Sequence, residues 1–356
     1  MDLKKYSISE LLNKAKIISI FGAGSGGATL LKRLKMLGYN PSIFWDSSRG
    51  KWWENINGSI CLPKMLLKRS PKKGHIICIA SSWAKDIARE LKKSKHDNYI
   101  DLTYWSDNLK NNFDSKKLNA LPTAKINKAC SLLEDGLSRK ILRASIRYRL
   151  SADPLKIMQS KEPQYFHPAV HAEPKDIIFD IGAWTGDSAI EFFSRMHNTG
   201  KIYSFEPDPD NYSLLKKTIS KGKLKNYILP INKAIARKNT TIFINKDASD
   251  IYGNETFVNN RSGSKIRAIS IDSFVKNRNI IPTMIKMDIE GAEYEALQGA
   301  KNTIKEYSPK LQISIYHRIE DLWRIPVWIK SINPDYRLFI RHHSQSLVDT
   351  VLYATI

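Results

Sequence analysis

Two short runs in this chain place glycines directly after an apolar stretch and directly before a helical one. A strand that turns on glycine into a helix belongs to an α/β sheet with crossover connections. The first run is Gly22-Ala23-Gly24-Ser25-Gly26-Gly27, following Ile17–Phe21; the second is Asp180-Ile181-Gly182-Ala183-Trp184-Thr185-Gly186-Asp187. Around the first, apolar runs at 41–45, 75–80 and 98–104 alternate with helical patterns at 25–37 and 83–95. Around the second, strands are expected at 176–181, 201–205, 227–231, 283–287 and 311–316, with strand-like segments at 241–245 and 266–271. Helical stretches run to about 197, through 217, and over 292–306 and 321–332. The segments 336–341 and 348–354 read as a closing antiparallel hairpin. Between the two series, residues 111–170 are basic and show helical periodicity through Leu132, Leu137, Ile141 and Ile146. The reading is an α/β protein: a smaller Rossmann-like unit of about four strands over 1–110, a helical connector over 111–170, and a larger sheet domain over 171–356.

At 356 residues, length agrees with two domains. With 42% hydrophobic and 26% charged residues, the chain is globular, neither collagen-like nor disordered. Cys61, Cys78 and Cys130 are too few and too scattered for a disulfide framework or zinc site. No apolar run nears the ~18 residues of a membrane span. The N-terminus lacks a secretory core and reads as a helix with Ser7 and Glu10 in capping-box spacing. A soluble, reduced, cytoplasmic protein is expected. The net charge of +22 is concentrated early: residues 1–150 hold 29 Lys/Arg against 12 Asp/Glu, residues 151–356 hold 28 against 23. Such an excess favours an anionic partner, whether nucleic acid, phosphorylated sugar, acidic glycan or membrane surface. Yet clusters such as Lys32, Arg33, Lys35 and Lys92, Lys93, Lys95 sit on helical stretches as solvated faces do, and no zinc-finger, RRM or KH pattern accompanies them. Nucleic acid is therefore the disfavoured partner.

Gly22, Gly24 and Gly27 have dinucleotide-turn spacing, and Asp46 lies 19 residues beyond Gly27, at the end of the next strand. In such a turn glycines let a phosphate approach the backbone, and the acid accepts bonds from a ribose. NAD or a nucleotide sugar is one reading of this unit. A module that only packs or assembles the protein, as a homo-oligomer, is the other. Asp46-Ser47-Ser48-Arg49-Gly50 followed by Ile56-Asn57-Gly58 looks like the small N-terminal Rossmann modules of sugar-modifying enzymes.

The second run replaces the first glycine with Asp180. A carboxylate there suits a ligand carrying an amino group and a sulfonium, as S-adenosylmethionine does. Glu206, twenty residues after Gly186, ends its strand where two ribose hydroxyls could reach it. Farther on, Ile285-Lys286-Met287-Asp288-Ile289-Glu290-Gly291-Ala292-Glu293 brings Lys286, Asp288 and Glu290 to a carboxyl edge, on one side if the strand stays extended.

At these residues the chain resembles the FkbM family of S-adenosylmethionine-dependent methyltransferases, through DIGAWTGD (180–187), YSFEPDP (203–209), ISIDSF (269–274) and IKMDIEGAEYEALQGA (285–300). The likeness spans roughly 165–356, and residues 316–353 look like a branch found with bacterial surface-glycan loci. It implies a seven-stranded sheet with a reversed terminal hairpin and O-methylation of a hydroxyl, commonly on a sugar. Asp180, Gly182, Gly186 and Glu206 match the family's cofactor motifs, with Ala183, Asp187 and Pro207 beside them; Trp184 stands where relatives carry a smaller or polar residue.

A sugar hydroxyl needs a base or a metal to become a good nucleophile. His317, after the 311–316 strand, is the first base candidate, with an imidazole near its ordinary pKa of ~6.5. Asp288 is the second, with Lys286 beside it, and Asp288 with Glu290 is the candidate pair for Mg²⁺ or Mn²⁺. Arg318, Arg324 and Arg341 are candidates for an anionic acceptor: sugar, nucleotide-sugar or glycan. His342 and His343 are expected in the hairpin turn, facing solvent or substrate, and Gln164-Tyr165-Phe166 as a cover over the cofactor. The rival readings are a nucleic-acid methyltransferase and a bifunctional protein whose first unit binds NAD or a nucleotide sugar.

Overall fold

The computed structural model describes residues 8–103, 122–246, 256–259 and 264–356. Ser7, Tyr104 and the connector's first residues, 111–121, lie outside these. Helix α1 (Ile8–Asn13) leads into a sheet made of β1 (Ile17–Phe21), β2 (Ile43–Asp46), β3 (Asn55–Ile56), β4 (Ser59–Pro63), β5 (His75–Ile79) and β6 (Tyr99–Asp101). Their order is β3-β4-β2-β1-β5-β6, all parallel except β3. Six strands replace the expected four. The additional pair, β3 and β4, is short and turns through Asn57 and Gly58, both at positive φ, so it escapes a pattern built on long apolar runs. Helices α2 (Ser25–Met36) and α3 (Ala84–Lys93) cover the faces. Ala84, Ile87, Ala88 and Leu91 form the buried stripe of α3, at the spacing of one helix face.

Helices α4 (Thr123–Ser131) and α5 (Gly136–Ser151) follow. Asp135 caps α5 by accepting from Ser138 N. Ile141, Leu142 and Ile146 of α5 join the core of the second unit, whereas Tyr148 and Ala152 join that of the first. At this seam Arg149 is fully buried and donates from Nη2 to the Tyr316 carbonyl.

The second unit holds a seven-stranded sheet of β7 (Ile177–Ile181), β8 (Lys201–Phe205), β9 (Ile228–Ile231), β14 (Met284–Met287), β15 (Lys310–Ser314), β16 (Arg337–His342) and β17 (Thr350–Thr355). The order is β16-β17-β15-β14-β7-β8-β9, and β17 alone is antiparallel, the expected reversed hairpin. Both faces are buried: Phe179, Ile285 and Leu311 point to one core, Ile178, Met284 and Val351 to the other. That explains why these strands read as continuous apolar runs. The strand-like segments at 241–245 and 266–271 fall in a separate four-stranded sheet, formed by β10 (Ala234–Ile235), β11 (Thr240–Lys246), β12 (Thr256–Asn259) and β13 (Ser264–Ile269). Helices α6 (Asp187–Arg195), α7 (Pro209–Lys221), α8 (Ile271–Arg278), α9 (Glu293–Gln298), α10 (Lys301–Tyr307) and α11 (Asp321–Ile332) complete it; the expected helix over 292–306 is two, broken at Gly299 and Ala300. Cys61, Cys78 and Cys130 are buried free thiols. Among the described residues no helix is long and apolar enough to cross a membrane.

Candidate active site

In each unit the first strand of the motif has neighbours on both sides reached by opposite crossovers, and a crevice opens at its carboxyl end, as open α/β sheets dictate. Behind β7 it is a cavity of about 560 Å³; behind β1, one of about 470 Å³. The turns follow one plan. Gly22 and Gly182 both have positive φ, and a Cβ on them would lie 2.4 Å from the Ala80 carbonyl oxygen and 1.8 Å from that of Asp288. Only glycine lets these turns press against the neighbouring strand's exit. The acid ending the second strand then clamps the turn. Asp46 accepts from Ala23 N (2.7 Å) and Ser48 N (2.8 Å); Glu206 accepts from Trp184 N (2.9 Å) and Asp208 N (2.9 Å). Each oxygen keeps a further lone pair for a ligand. Burial pushes the Glu206 carboxyl up to about 7.

The larger cavity is lined by six acids, Asp187, Glu206, Asp288, Glu290, Glu295 and Asp349, against Lys233, Lys286 and Arg318. Phe205, Ile235 and Ile242 supply apolar wall, with Gly182 and Pro207 beside them. An acidic, partly apolar crevice in a chain of net charge +22 can accommodate a ligand that carries positive charge and an apolar portion. Trp184, at φ 45 and 39% exposed, also faces this space.

Asp180 departs from expectation. Its carboxylate is wholly buried and absent from the cavity lining; it lies 3.0 Å from Lys286 Nζ and accepts from the Ser188 hydroxyl at 3.0 Å. Register explains this, since Lys286 on β14 pairs across from Asp180 on β7. Lys286 also donates to the Gly182 carbonyl at 2.7 Å. Burial alone would lower the Lys286 ammonium; the Asp180 and Asp288 carboxylates outweigh it and raise it. Lys286 is thus a charged tie beneath the turn.

The 288–293 run does not stay extended. Strand β14 ends at Met287, and Glu290 and Gly291 adopt φ 55 and φ 92. This left-handed pair, strained at Glu290, turns Glu290 toward His317. Asp288 accepts from Tyr165 Oη at 3.1 Å and Tyr316 Oη at 3.2 Å, phenols whose pKa burial and the Asp288 charge push well up, so they remain donors. His317 lies beyond the end of β15, with Nδ1 2.9 Å from Glu293 Oε1 and Nε2 3.1 Å from Glu290 Oε2 and 3.6 Å from Asp288 Oδ1. Burial would lower this imidazole, but the Glu293 and Glu290 carboxylates outweigh it and hold it well above its ordinary value. The expectation of a neutral imidazole ready to accept a proton is therefore corrected: without another cation His317 stays charged at neutral pH.

Of the three arginines, only Arg318 lines the cavity. Arg324 is bound to Asp321 at 2.7 Å and lies 4.0 Å from the centre of the Tyr294 ring. Arg341 is buried against Asp135 at 2.8 Å and Glu162 at 3.3 Å. Both are corrected to packing roles, because acids on their own helix or on the connector capture them. His342 is buried, His343 is half-buried, and neither lines the cavity: burial pushes them down to about 3 and about 4, and they bond Thr350 and Tyr353. Gln164 and Tyr165 do line the cavity, while Phe166 packs near Phe192. Sequence reasoning missed Tyr316, Glu293 and Asp349. Glu293 stood within the quoted 285–300 run; Asp349, pushed up to about 6 by burial and by Asp288, sits before β17 with no local pattern to mark it.

In the N-terminal crevice Gly22, Gly24 and Asp46 are lining residues and Gly27 is not. Lys51 Nζ crosses the turn to the Ala23 carbonyl at 2.8 Å, and Asp86, Glu90 and Trp83 form the far rim.

The family description "Methyltransferase FkbM domain" matches residues 180–346. Hexuronic acid methyltransferase AglP of Haloferax volcanii is 27% identical over 136 residues, which is 38% of this chain and 54% of that protein. The match thus spans about half the length of that relative. The crystal structure of methyltransferase FkbM from Methylobacillus flagellatus KT superposes with a TM-score of 0.74 at 20% identity, covering 99% of this chain and 95% of that one. It shares the fold of this chain across both units.

Proposed function

With residues 180–346 forming a methyltransferase FkbM domain, we propose that this chain is an S-adenosylmethionine-dependent O-methyltransferase acting on a hydroxyl of a sugar, nucleotide-sugar or glycan in surface polysaccharide assembly. The observation that carries the donor is the acidic, partly apolar crevice at the β7 carboxyl edge, in a protein otherwise strongly basic. The acceptor class is supported by the match to the Haloferax volcanii hexuronic acid methyltransferase. Glu206 fits ribose hydroxyls with its two remaining lone pairs. Asp187, exposed at the start of α6, fits the amino group in place of the inaccessible Asp180, with Gly182, Ala183, Gly186 and Pro207 shaping the turn. The donor supplies a methyl group on a sulfonium and leaves as a neutral thioether.

The chain's own task is to hold a hydroxyl in line and take its proton. Asp288, fixed by two phenols, orients the hydroxyl. Asp349, on the cavity wall with a carboxyl at about 6, accepts the proton. Arg318 is the one basic side chain of the three expected arginines placed for an anionic acceptor. We also propose the division at 1–110, 111–170 and 171–356, with α5 contributing to both cores. For the first unit we retain nucleotide-sugar binding beside assembly; Lys51 over the glycine turn favours a phosphate over bare packing.

Calorimetry with S-adenosylmethionine, followed by mass spectrometry for a +14 Da product across sugar nucleotides and capsular fragments, tests the reading. Donor binding with methylated sugar is the expected result. No donor binding, or methylation only of polynucleotides with steeply salt-dependent affinity, overturns it.

A further inference from the structure

We propose that Asp288, Glu290 and His317 form a divalent-cation site on the cavity wall, with Glu293 as the positioning residue that fixes the imidazole. The inference rests on the methyltransferase reading and adds a third ligand and an anchor that the sequence does not reveal. Four observations carry it. First, Asp288, Glu293 and His317 offer ligand atoms within 4.8 Å of one another, Glu290 joins this trio through its Oε2, 3.1 Å from His317 Nε2, and Asp288 and Glu290 line the cavity. Second, His317 is only 8% exposed, its two ring nitrogens lie 2.9 Å and 3.1 Å from carboxylate oxygens without being aligned on either as in a closed hydrogen bond, and Glu293 Oε2 is buried without a partner. Buried polar atoms in native proteins are almost always satisfied, so these point to something absent from the protein atoms alone.

Third, the separations of the imidazole from the two carboxylates suit a shared ion. Cis ligands in an octahedron with bonds of about 2.1 Å lie about 3 Å apart, and His317 Nε2 stands 3.1 Å from Glu290 Oε2 and 3.6 Å from Asp288 Oδ1. Glu293 Oε1, 2.9 Å from Nδ1, occupies the place of the carboxylate that orients a ligating histidine in metalloproteins. Fourth, the charge is not balanced within the cluster. Three carboxylates surround one imidazole, and Lys286 is already paired with Asp180. The left-handed turn at Glu290 and Gly291 keeps the Glu290 side chain on this cluster despite its backbone strain.

Two carboxylates and an imidazole with open positions suit Mn²⁺ or a similar first-row divalent ion. Facing the cavity, such an ion polarises an acceptor hydroxyl so that its proton leaves more easily.

The test is Mn²⁺ titration of the full chain, without donor or acceptor, read by electron paramagnetic resonance. One bound Mn²⁺ per chain is expected. Glu290→Gln, on a side chain 29% exposed and so tolerant of change, should weaken binding about tenfold or more, and His317→Ala should abolish it, with thermal melts confirming that each variant folds. Glu293→Gln should weaken binding while leaving Asp288 and Glu290 in place, and Glu293→Asp should restore part of it. No Mn²⁺ binding by the wild type, or equal binding by Glu290→Gln, overturns the site. Methylation that persists at full rate after chelation overturns the ion's part in the reaction while leaving the methyltransferase reading intact. Absence of donor binding overturns that reading instead, whatever Mn²⁺ does.

Discussion

In the N-terminal unit, Ala23 and Ser48 donate their amides to Asp46; in the C-terminal unit, Trp184 and Asp208 donate theirs to Glu206. Both turns pack a glycine against the carbonyl that follows the adjacent strand. The backbones are the same device, and the side chains around them differ. Beneath Gly182 lies a buried Lys286–Asp180 pair, and six acids open onto the ligand space. Beside Gly24 a lysine reaches over the turn from the surface. A glycine-rich turn therefore specifies a place for a ligand, and the charges built around it select which ligand.

The largest contrast should come from removing the two lysines. Lys286→Ala leaves Asp180 as an uncompensated buried charge, and a loss of about 3–5 kcal/mol in urea unfolding is expected. Lys51→Ala removes a partly exposed bond to a carbonyl and should cost about 1 kcal/mol or less. Equal losses would mean that the two turns are supported alike. Next in size, Glu206→Ala should lower affinity for S-adenosylmethionine about a hundredfold by calorimetry, while Asp46→Ala changes it less than twofold. In the wild type that affinity should rise as pH passes through about 7, because burial keeps Glu206 protonated below it, and Glu206→Gln should flatten the rise. If Asp46→Ala weakens the donor instead, the ligand assignments of the two units are reversed.

The smallest effect belongs to the seam. Asp101, wholly buried, is pushed up to about 6 by burial while accepting from Tyr148 Oη at 2.6 Å. An unfolded aspartate titrates near ~3.9, so between these values the folded chain holds a proton that the unfolded chain releases. Its contribution is present below about pH 4 and lost as pH rises through about 6, on the order of 2 kcal/mol. Asp101→Asn should remove that slope from urea melts of the full chain. An unchanged slope would place the titration elsewhere.

What could be read from sequence was whatever local chemistry dictates. The strands β7, β8, β14 and β15, buried on both faces, announce themselves as apolar runs, and Gly22 and Gly182 mark the turns after β1 and β7 because no other residue fits. The seven-stranded order with its reversed hairpin and the family match both agree with that reading. What could not be read depends on partners distant in the chain. Asp180 is withdrawn from the cavity by Lys286, 106 residues later, and Arg341 is taken by Asp135, 206 residues earlier. His317 has an ordinary place at a strand's exit, and only the fold surrounds it with Asp288, Glu290 and Glu293. Asp349 enters the cavity from a connection with no signature at all.

Helix α5 places Ile141 in one core and Tyr148 in the other, and its Arg149 holds the carbonyl of Tyr316, the residue before His317. Ile157 and Leu347, from the far side of the seam, help close the first core. Cutting the chain between the sheets would thus leave neither half a finished solid: one would lose its lid, the other the brace behind its chemistry. Any lineage that acquired the first unit as an accessory would since have been unable to discard it cleanly.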